Sequence, residues 1–449
     1  MSTLASPGTA QWSSRFAFIM AAVGSSVGLG NLWRFSAELG SNGGAAFLVV
    51  YIACIVFVGV PVLMSEYVIG RAGQASSAIG TSDDLADRSG VSKLWSSGAW
   101  FGMAASFLIV SFYCVVAAWV LNYLVRFLGN SFTGLTPDEI ATKFPEMIGE
   151  PMTVLPYFLI FAALTAWLVA RGVNKGIEAA AKILMPLFFI LLAGLASYSV
   201  VSGLASGGTA KALAFMFTPD FSKITPEVAK SALGQACFSI GIGNAIMITY
   251  GSYLPRTVSI PRAAVTVSFV DTLVAIVAGL AIFPIVFTHG LDYSAGPGIF
   301  FQTLPTALAE YWYIGAAFFF LAFFAAITSS VSLLEPSVAY VAEKFAIKKA
   351  KAAWITGGAI TLLGFGSLFS MEFFDFLDTG LAGPILAPLS ALLIVLFTGW
   401  RLKGSILADE IAGKDAKLGR FILFFVKYVA PIFMFAVLVL GIADQYFSG

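Results

Sequence analysis

The residues with the clearest chemical potential are polar groups inside a stretch that is otherwise apolar enough to cross a membrane. Residues 24–34 read Gly-Ser-Ser-Val-Gly-Leu-Gly-Asn-Leu-Trp-Arg, and they follow an apolar run that begins at Phe16. Non-helical backbone at membrane depth is tolerated only where it is buried in protein or lines a polar cavity, because each unpaired peptide group costs several kcal/mol in hydrocarbon. This composition predicts an interrupted membrane helix with a binding site at the interruption.

An interrupted helix offers two kinds of ligand. Carbonyl oxygens at the end of its first half suit a cation, and free amides at the start of its second half suit an anion. Glycines alone would favour a packing face, because small residues let membrane helices approach closely. Asn31 and Arg34 favour a site, since polar residues at this depth are functional by default. We therefore expect Na⁺ and a carboxylate to bind side by side here.

A second stretch with the same features lies near the middle of the chain. Residues 238–244 read Phe-Ser-Ile-Gly-Ile-Gly-Asn, within the apolar segment 227–255. Two interrupted helices that lie five spans apart are typical of transporters built from two repeats, with the site at the repeat interface. Because five is odd, the second copy starts on the opposite side of the membrane, and the repeat is inverted.

Further polar residues occur deep in other apolar segments. We interpret Glu66 as a hydrogen-bond partner of a broken helix rather than as a direct substrate contact, and Asp271 needs a cation or a proton as its partner. The hydroxyls of residues 328–330 commonly bond back to their own helix, so alone they are weak signals. Beside open carbonyls at Gly24 and Val27 they become ligands for a hard cation, and an oxygen-only set suits Na⁺ better than a transition metal.

The composition settles the class of protein. Of 449 residues, 59% are hydrophobic and only 11% are charged, which excludes a soluble domain. The net charge of +1 argues against nucleic acid as a partner. Cys54, Cys114 and Cys237 lie in apolar stretches and are interpreted as small packing residues. No catalytic triad, P-loop or metal-ligand spacing is found, so we do not expect an enzyme, and His289 is interpreted as a surface residue.

The fold predicted from this pattern is an all-α polytopic membrane protein with membrane lipid around it. Apolar segments long enough to span a bilayer number eleven, at residues 14–40, 44–70, 95–128, 153–171, 177–203, 227–255, 262–289, 313–345, 350–369, 373–399 and 419–446. We divide this single transporter domain into a first repeat at 14–203, an inverted second repeat at 227–399 and an extra helix at 419–446.

Lysine and arginine are concentrated in alternate loops. This bias places the N-terminus in the cytoplasm and, with an odd number of spans, Gly449 outside. No cleavage site follows the first apolar run, so we expect that segment to stay in the protein. The predicted location is the inner (plasma) membrane of the cell.

With these residues the sequence resembles the neurotransmitter:sodium symporter family over nearly its whole length. The specific motif is residues 28–34, Gly-Leu-Gly-Asn-Leu-Trp-Arg. The matching residues and segments are Trp12, Arg15, 24–34, 42–47, 59–61, Glu66, 70–71, 171–172, 175–176, 249–250, 252–253 and 328–330.

The resemblance implies two sodium sites and one amino-acid site. The first sodium site would use the carbonyl of Ser26, the side chain of Asn31, both the carbonyl and the hydroxyl of Ser239, and the substrate carboxylate. The second would use the carbonyls of Gly24, Val27 and Ala325 with the hydroxyls of Thr328 and Ser329. The substrate carboxylate would meet the amides of Leu29 and Gly30 and the hydroxyl of Tyr113, and its ammonium would meet the carbonyls of Ser26, Phe238, Ser239 and Gly241.

The same resemblance implies the class of substrate. Family members that move monoamines have an aspartate where this chain has Gly28, and that aspartate supplies the carboxylate that monoamines lack. Gly28 leaves room for the substrate's own carboxylate, which implies amino acids. The side-chain pocket would be lined mostly by apolar residues, namely Ile109, Phe238, Gly241, Asn244 and Leu333.

The resemblance also implies gates, and the chain departs from the family pattern at one of them. Tyr113 with Phe238, and then Arg34 with Asp378, would form two layers of an extracellular gate. Relatives pair a basic residue, three positions before the tryptophan equivalent to Trp12, with an acid at the position of Glu343. Here the basic position is Thr9, and the chain has eleven predicted spans where many relatives have twelve.

Two residues bear on how the transporter would work. Pro186 lies ten residues after Gly176 in the fifth span, where it invites local unwinding or is a harmless kink. When the seventh span is aligned with the family without gaps from Pro284, Val270 falls at the position of the family's sodium-binding asparagine. Asp271 is therefore a ligand of the first sodium, a substitute for the chloride that many animal members use, or both; alternatively, it is an acid satisfied by neighbouring hydroxyls.

These observations predict a Na⁺-coupled symporter of neutral, hydrophobic or aromatic L-amino acids that works by alternating access without chloride. One alternative is a transporter-like sensor that binds an amino acid without moving it. A channel is disfavoured by the closed, ligand-sized pocket.

Overall fold

The computed structural model describes residues 11–73, 75, 77–294, 296, 298–412 and 414–446. These residues fold into helices and connecting turns, with no strand among them. In chain order the helices are α1 (Arg15–Ser26), α2 (Gly30–Ser41), α3 (Ala45–Gly73), α4 (Ala78–Ser89), α5 (Lys93–Leu128), α6 (Pro137–Gly149), α7 (Pro151–Ala170), α8 (Val173–Ser202), α9 (Gly208–Phe217), α10 (Pro226–Ile240), α11 (Ile246–Ser252), α12 (Ile260–Thr288), α13 (Ile299–Leu308), α14 (Trp312–Lys344), α15 (Lys349–Phe369), α16 (Met371–Arg401), α17 (Gly404–Ile411) and α18 (Ala416–Tyr446).

Most of the long helices are apolar enough to cross a membrane. Within the described residues nine helices meet this condition, and α1 with α2 makes a tenth candidate that is bent by 53°. The predicted span 227–255 is occupied by α10 and α11, each too short to cross alone. The all-helical membrane class is confirmed, while the count of eleven spans stays a prediction.

The first helix break follows directly from the local sequence. The hydroxyl of Ser14 accepts a hydrogen bond from the Ala17 amide at 3.1 Å and caps the start of α1. The helix ends at Ser26, and the backbone of the next residue, Val27, is extended with φ −75° and ψ 104°. A new helix starts at Gly30, so the interruption falls within the motif that predicted it.

The second break depends on residues in the left-handed region of backbone space. Gly241, Gly243 and Ala245 have φ values of 71°, 75° and 56°. Glycine adopts this conformation without strain, whereas alanine rarely does. These residues separate α10 from α11, as the pattern of residues 238–244 predicts.

The two broken helices lie in the middle of the bundle. The long helix α14 packs along α1, α5 and α8, and α12 packs against α3 and α8. Trp12 anchors the segment before α1, because its indole Nε1 donates to the carbonyl of Tyr250 at 3.0 Å and its backbone amide donates to the carbonyl of Tyr253 at 3.1 Å. The chain before α1 is thus fixed to the chain after α10.

A cluster of charged groups ties α17 to the ends of other helices. Arg71, at the end of α3, donates through Nε to Oε2 of Glu410 at 2.5 Å, and Nη1 of Arg256 lies 2.7 Å from Oε1 of the same carboxylate. Nearby, Arg262 binds Asp415 at 2.7 Å. Hydrogen bonds from the hydroxyl of Ser259 and from Arg262 lower the pKa of Asp415. We call Arg71, Arg256 and Glu410 the α17 clamp.

Candidate ion and substrate site

The two helix breaks touch each other. The hydroxyl of Ser26, at the end of α1, donates to the carbonyl of Ile240, at the end of α10, at 3.1 Å. The predicted site residues of both interruptions are therefore brought together. Glu66 supports this junction, because its Oε1 accepts a hydrogen bond from the amide of Gly243 at 2.7 Å. Its role as the hydrogen-bond partner of a broken helix is as predicted.

Gly28 occupies a position that a larger residue cannot fill. A Cβ atom at Gly28 would lie 2.5 Å from the hydroxyl oxygen of Ser329 and 3.4 Å from that of Tyr113. A Cβ atom at Gly30 would lie 2.9 Å from the ring of Phe238. The glycines thus let α14, α5 and α10 approach the backbone of the first break, and the hydroxyl of Tyr113 lies 3.5 Å from the amide of Leu29.

A buried carboxylate and two polar side chains form the centre of the site. The side-chain Nδ2 of Asn31 donates to Oδ1 of Asp271 at 2.8 Å, and the hydroxyl of Ser239 donates to Oδ2 of the same carboxylate at 2.7 Å. Asn31 and Asp271 are fully buried. No lysine or arginine lies within 4.0 Å of this carboxylate in the part of the chain that the structure describes. A carboxylate so placed lacks a cationic partner.

The oxygen atoms predicted for a second cation lie between α1 and α14. The hydroxyl of Ser329 is 3.5 Å from the carbonyl oxygen of Val27, and that of Thr328 is 3.1 Å from the carbonyl of Ala325. A Cβ atom at Gly24 would lie 3.4 Å from Cβ of Thr328 and 3.0 Å from the sulfur of Met185. All five predicted residues therefore lie at one junction. Within the described chain no cluster of three or more His, Cys, Asp or Glu side chains is found, so a transition-metal site is not indicated there.

The predicted side-chain pocket surrounds this centre. Ile109, Leu333 and Asn244 are each 7% exposed and Tyr113 is 8% exposed, while neighbouring core residues are fully buried. Phe238 and Gly241 are half-buried in the same region. These side chains, on α5, on α14 and at the second break, thus each keep a small accessible fraction.

The predicted outer ion pair is not formed. Among the described residues no ion pair of 4.0 Å or less joins Arg34 to Asp378; the guanidinium carbon of Arg34 instead lies 4.4 Å from the centre of the Phe238 ring. Its Nε is 4.0 Å from Glu38 on the next helical turn. The ring face and Glu38 provide the guanidinium with nearer partners than Asp378.

Glu343, the acid of the predicted inner gate, is bound by a serine. Glu343 accepts hydrogen bonds from the amide of Ser77 at 2.8 Å and from its hydroxyl at 3.1 Å. Thr9 lies outside the described residues. Close by, Lys349 forms an ion pair with fully buried Glu335, which also accepts a hydrogen bond from Tyr253 at 2.8 Å. The sequence analysis did not assign a role to Lys349.

Two other residues at the site were missed from the sequence. The hydroxyl of Tyr51 lies 3.1 Å from that of Ser239, and the amide of Gln235 donates to the carbonyl of Gly30 at 3.0 Å. A tyrosine or glutamine within a membrane helix is usually part of the core. Gln235 lies three residues before the second interruption, which was a signal for it, whereas Tyr51 lies far from both interruptions in the sequence.

Helix α8 brings the predicted proline close to the second cation junction. Pro186 lies inside α8, one residue after Met185, and the helix starts with a π-helical turn at Val173–Glu178. The buried carboxylate of Glu178 binds Lys182 at 2.6 Å and accepts hydrogen bonds from the amide and hydroxyl of Ser13. The start of α8 is therefore tied to the segment before α1.

His289, which follows α12, is exposed, as predicted.

The site and the fold together define a multi-pass membrane protein with a polar centre between two broken helices. A sequence model described as the sodium:neurotransmitter symporter family matches residues 9–143 and 141–447. A sodium-dependent transporter of Bacillus subtilis is 37% identical over 94% of this chain and 95% of its own, and one of Haemophilus influenzae is 32% identical over 95% and 97%. The crystal structure of MhsT in complex with L-phenylalanine matches with a TM-score of 0.86 and 40% identity, over 96% of this chain and 99% of that chain.

The chain therefore belongs to the sodium:neurotransmitter symporter family. It is a sodium-dependent membrane transporter and not an enzyme. The family resemblance read from residues 28–34 is confirmed.

Proposed function

We propose that this protein is a symporter that couples the entry of Na⁺ to that of a neutral amino acid by alternating access. The observation that carries the proposal is the cluster of Asn31, Ser239 and Asp271 next to the interrupted backbone at Gly28 and Leu29. Oxygen ligands for a cation and amides for a carboxylate lie within one junction. Each ligand can then raise the affinity for the other by the same factor.

The substrate carboxylate would bind at the amides of Leu29 and Gly30, next to the hydroxyl of Tyr113. No side-chain carboxylate is present at position 28, where the hydroxyls of Ser329 and Tyr113 lie close to the backbone. A substrate must therefore supply its own negative charge, which excludes simple amines. The L-phenylalanine in the MhsT complex supports an amino acid as the substrate.

We assign two Na⁺ sites to the chain. The first uses Ser26, Asn31, Ser239 and Asp271, and the second uses Gly24, Val27, Ala325, Thr328 and Ser329. Asn31 contributes to the first through its carbonyl oxygen, which in this structure accepts a hydrogen bond from the amide of Gly28 at 3.0 Å. Asp271 brings one negative charge into a core that must hold two cations, and we therefore propose transport without chloride.

Topology and location complete the proposal. The protein lies in the inner (plasma) membrane of the cell, with its N-terminus in the cytoplasm. Trp12 and Tyr253, with Glu343 and Lys349 nearby, would then close the inner side. Opening toward the cytoplasm requires the segment before α1 to separate from α11.

Uptake into sealed proteoliposomes tests the proposal. Accumulation of a radiolabelled mixture of neutral amino acids should require an inward Na⁺ gradient and should stop when K⁺ or choline replaces Na⁺. Binding of the same mixture to purified protein should weaken at least tenfold in K⁺. Equal binding in both salts would refute the coupling, and Na⁺-dependent binding without any accumulation would identify a sensor.

A further inference from the structure

The second helix break contains a buried amide oxygen without a hydrogen-bond partner. Asn244 is 93% buried, since only 7% of it is exposed, and its Oδ1 makes no hydrogen bond. Buried polar groups in folded proteins are nearly always paired. An unpaired one inside a binding pocket therefore points to a partner that the substrate supplies.

The amide borders open space. A Cβ atom at Gly241 would find a single heavy atom of the described chain within 4 Å, and that atom is Nδ2 of Asn244 at 4.0 Å. At Gly28 and Gly30, by contrast, side chains of Ser329 and Phe238 stand at 2.5 and 2.9 Å. The space that a side chain at Gly241 would enter is therefore open as far as the amide of Asn244.

The backbone holds Asn244 in this place. Ser106, on α5, donates a hydrogen bond to the carbonyl of Asn244, and the preceding amide of Gly243 is bound by Glu66. A Cβ atom at Gly243 would lie 2.1 Å from the carbonyl oxygen of Ala387, so Ala387 packs tightly against the backbone of the break at this residue. Ser106 and Glu66 thus hold the backbone on both sides of Asn244, and its side-chain amide stays at the edge of the pocket.

We propose that Asn244 makes the transporter prefer neutral amino acids whose side chain ends in an N–H or O–H donor over apolar side chains of the same shape. The inference rests on the proposed function, since it takes this pocket to be the substrate pocket. The other predicted lining residues, Ile109, Leu333 and Phe238, are apolar, so the amide is the group that can distinguish such pairs. A site with a buried polar group rejects a ligand that leaves that group unpaired, whereas an apolar pocket distinguishes isosteres weakly.

The test uses pairs of amino acids that differ in the donor: tyrosine and phenylalanine, threonine and valine, glutamine and methionine. Each competes with radiolabelled alanine for the purified full-length protein in Na⁺. We expect the donor-bearing member to bind about tenfold more tightly in at least one pair. The ratio is measured in the unmodified protein, so the test does not depend on a variant that folds.

Two variants assign the effect to the residue. Asn244→Leu keeps the approximate shape and removes the hydrogen-bonding group, and we expect it to abolish or reverse the preference. Asn122→Leu makes the same change on α5, where Asn122 binds Arg126 at 2.7 Å, and it should leave the ratios unchanged.

The outcomes separate this inference from the proposed function. A wild-type protein with no preference in any pair, or the same ratio in Asn244→Leu as in the wild type, would overturn the role of Asn244. Alanine binding that does not depend on Na⁺ would instead overturn the symport proposal. Because alanine has no side-chain group to reach Asn244, the Na⁺ dependence of its binding tests the coupling without involving that residue.

Discussion

At the scale of single residues, the central feature is a carboxylate buried without a basic partner. Asp271 is bound by Asn31 and Ser239, both of them neutral. The two Na⁺ ions and the zwitterion of the proposed function would bring an excess of two positive charges into the core, and uncompensated charge is costly there. Asp271 would offset one of these charges. The hydrogen bonds it receives fit equally an acid that is merely satisfied by its neighbours, and the two roles make different predictions.

Replacement of Asp271 by asparagine distinguishes them. If the charge compensates Na⁺, Asp271→Asn should weaken Na⁺-dependent substrate binding at least tenfold, or make it require chloride, while the wild type binds equally well in NaCl and in sodium gluconate. Substrate binding in both salts is the measurement. Asp220→Asn, at an exposed aspartate that accepts hydrogen bonds from Ser222, is the control.

Either of two results would remove Asp271 from the ion mechanism. One is a chloride requirement in the wild type. The other is an Asp271→Asn protein that binds normally in both salts.

The sequence predicted this centre because polar residues are conspicuous in apolar segments. Asn31, Ser239 and Asp271 come from three helices; Asn31 and Asp271 were recognisable by their residue type, whereas Ser239 was assigned from the family resemblance. Tyr51 was not recognised, since a tyrosine in an apolar helix is usually core. The absence of the Arg34–Asp378 ion pair was equally beyond the sequence, because the distance between α2 and α16 depends on packing. The nearer ring of Phe238 decides where the guanidinium lies.

At the scale of helices, α8 has the features of an element that can open at one end. Its first turn is a π-helix, and Pro186 removes one internal hydrogen bond further along. The first turn is held instead by the contacts of Glu178 with Ser13 and Lys182. The position of Met185 against Gly24 connects a change in α8 to the second cation junction.

We therefore expect Pro186→Ala to slow uptake several-fold while equilibrium binding of substrate changes little. Alanine restores the backbone hydrogen bond that Pro186 removes, and it thereby stabilises the continuous helix against local unwinding. Initial uptake rates and binding affinities are measured on the same preparation. Pro156→Ala is the matched control, since Pro156 is an exposed proline inside α7. An unchanged uptake rate would show that Pro186 is only a kink.

The sequence located the two helix breaks but not the π-helical turn at the start of α8. The breaks at 27–29 and 241–245 were located because glycines cluster there. The π-helical turn of α8 was not foreseen, since residues 173–178 have no composition that distinguishes such a turn from an ordinary one. Its geometry depends on close packing, because a Cβ atom at Gly176 would lie 2.0 Å from the carbonyl oxygen of Leu168.

At the scale of the whole molecule, the α17 clamp joins parts of the chain that are far apart in sequence. Arg71 ends α3, Arg256 follows α11, and Glu410 lies on α17, between the last two long helices. The pair of Arg71 and Glu410 is almost completely buried. Removal of one partner from such a pair leaves the other charge uncompensated.

Glu410→Gln should therefore lower the unfolding temperature of the purified protein by several degrees, because an uncompensated buried arginine costs about 3 kcal/mol. Thermal unfolding in detergent is the measurement. Asp409→Asn, the same chemical change at the exposed neighbouring residue, should leave the transition unchanged. Equal effects of the two substitutions would show that the clamp contributes little to stability.

The anchoring of Trp12 has a consequence for the order in which the protein can be made. Trp12 and Tyr250 are 238 positions apart in the chain, and the bond from Ser26 to Ile240 spans 214. A ribosome that has delivered the first five helices to the membrane has not yet synthesised either acceptor. The indole of Trp12 and the hydroxyl of Ser26 therefore cannot form these two hydrogen bonds until residues 240–250 have been synthesised and inserted. The binding centre forms late in synthesis, and the first half of the protein alone cannot contain it.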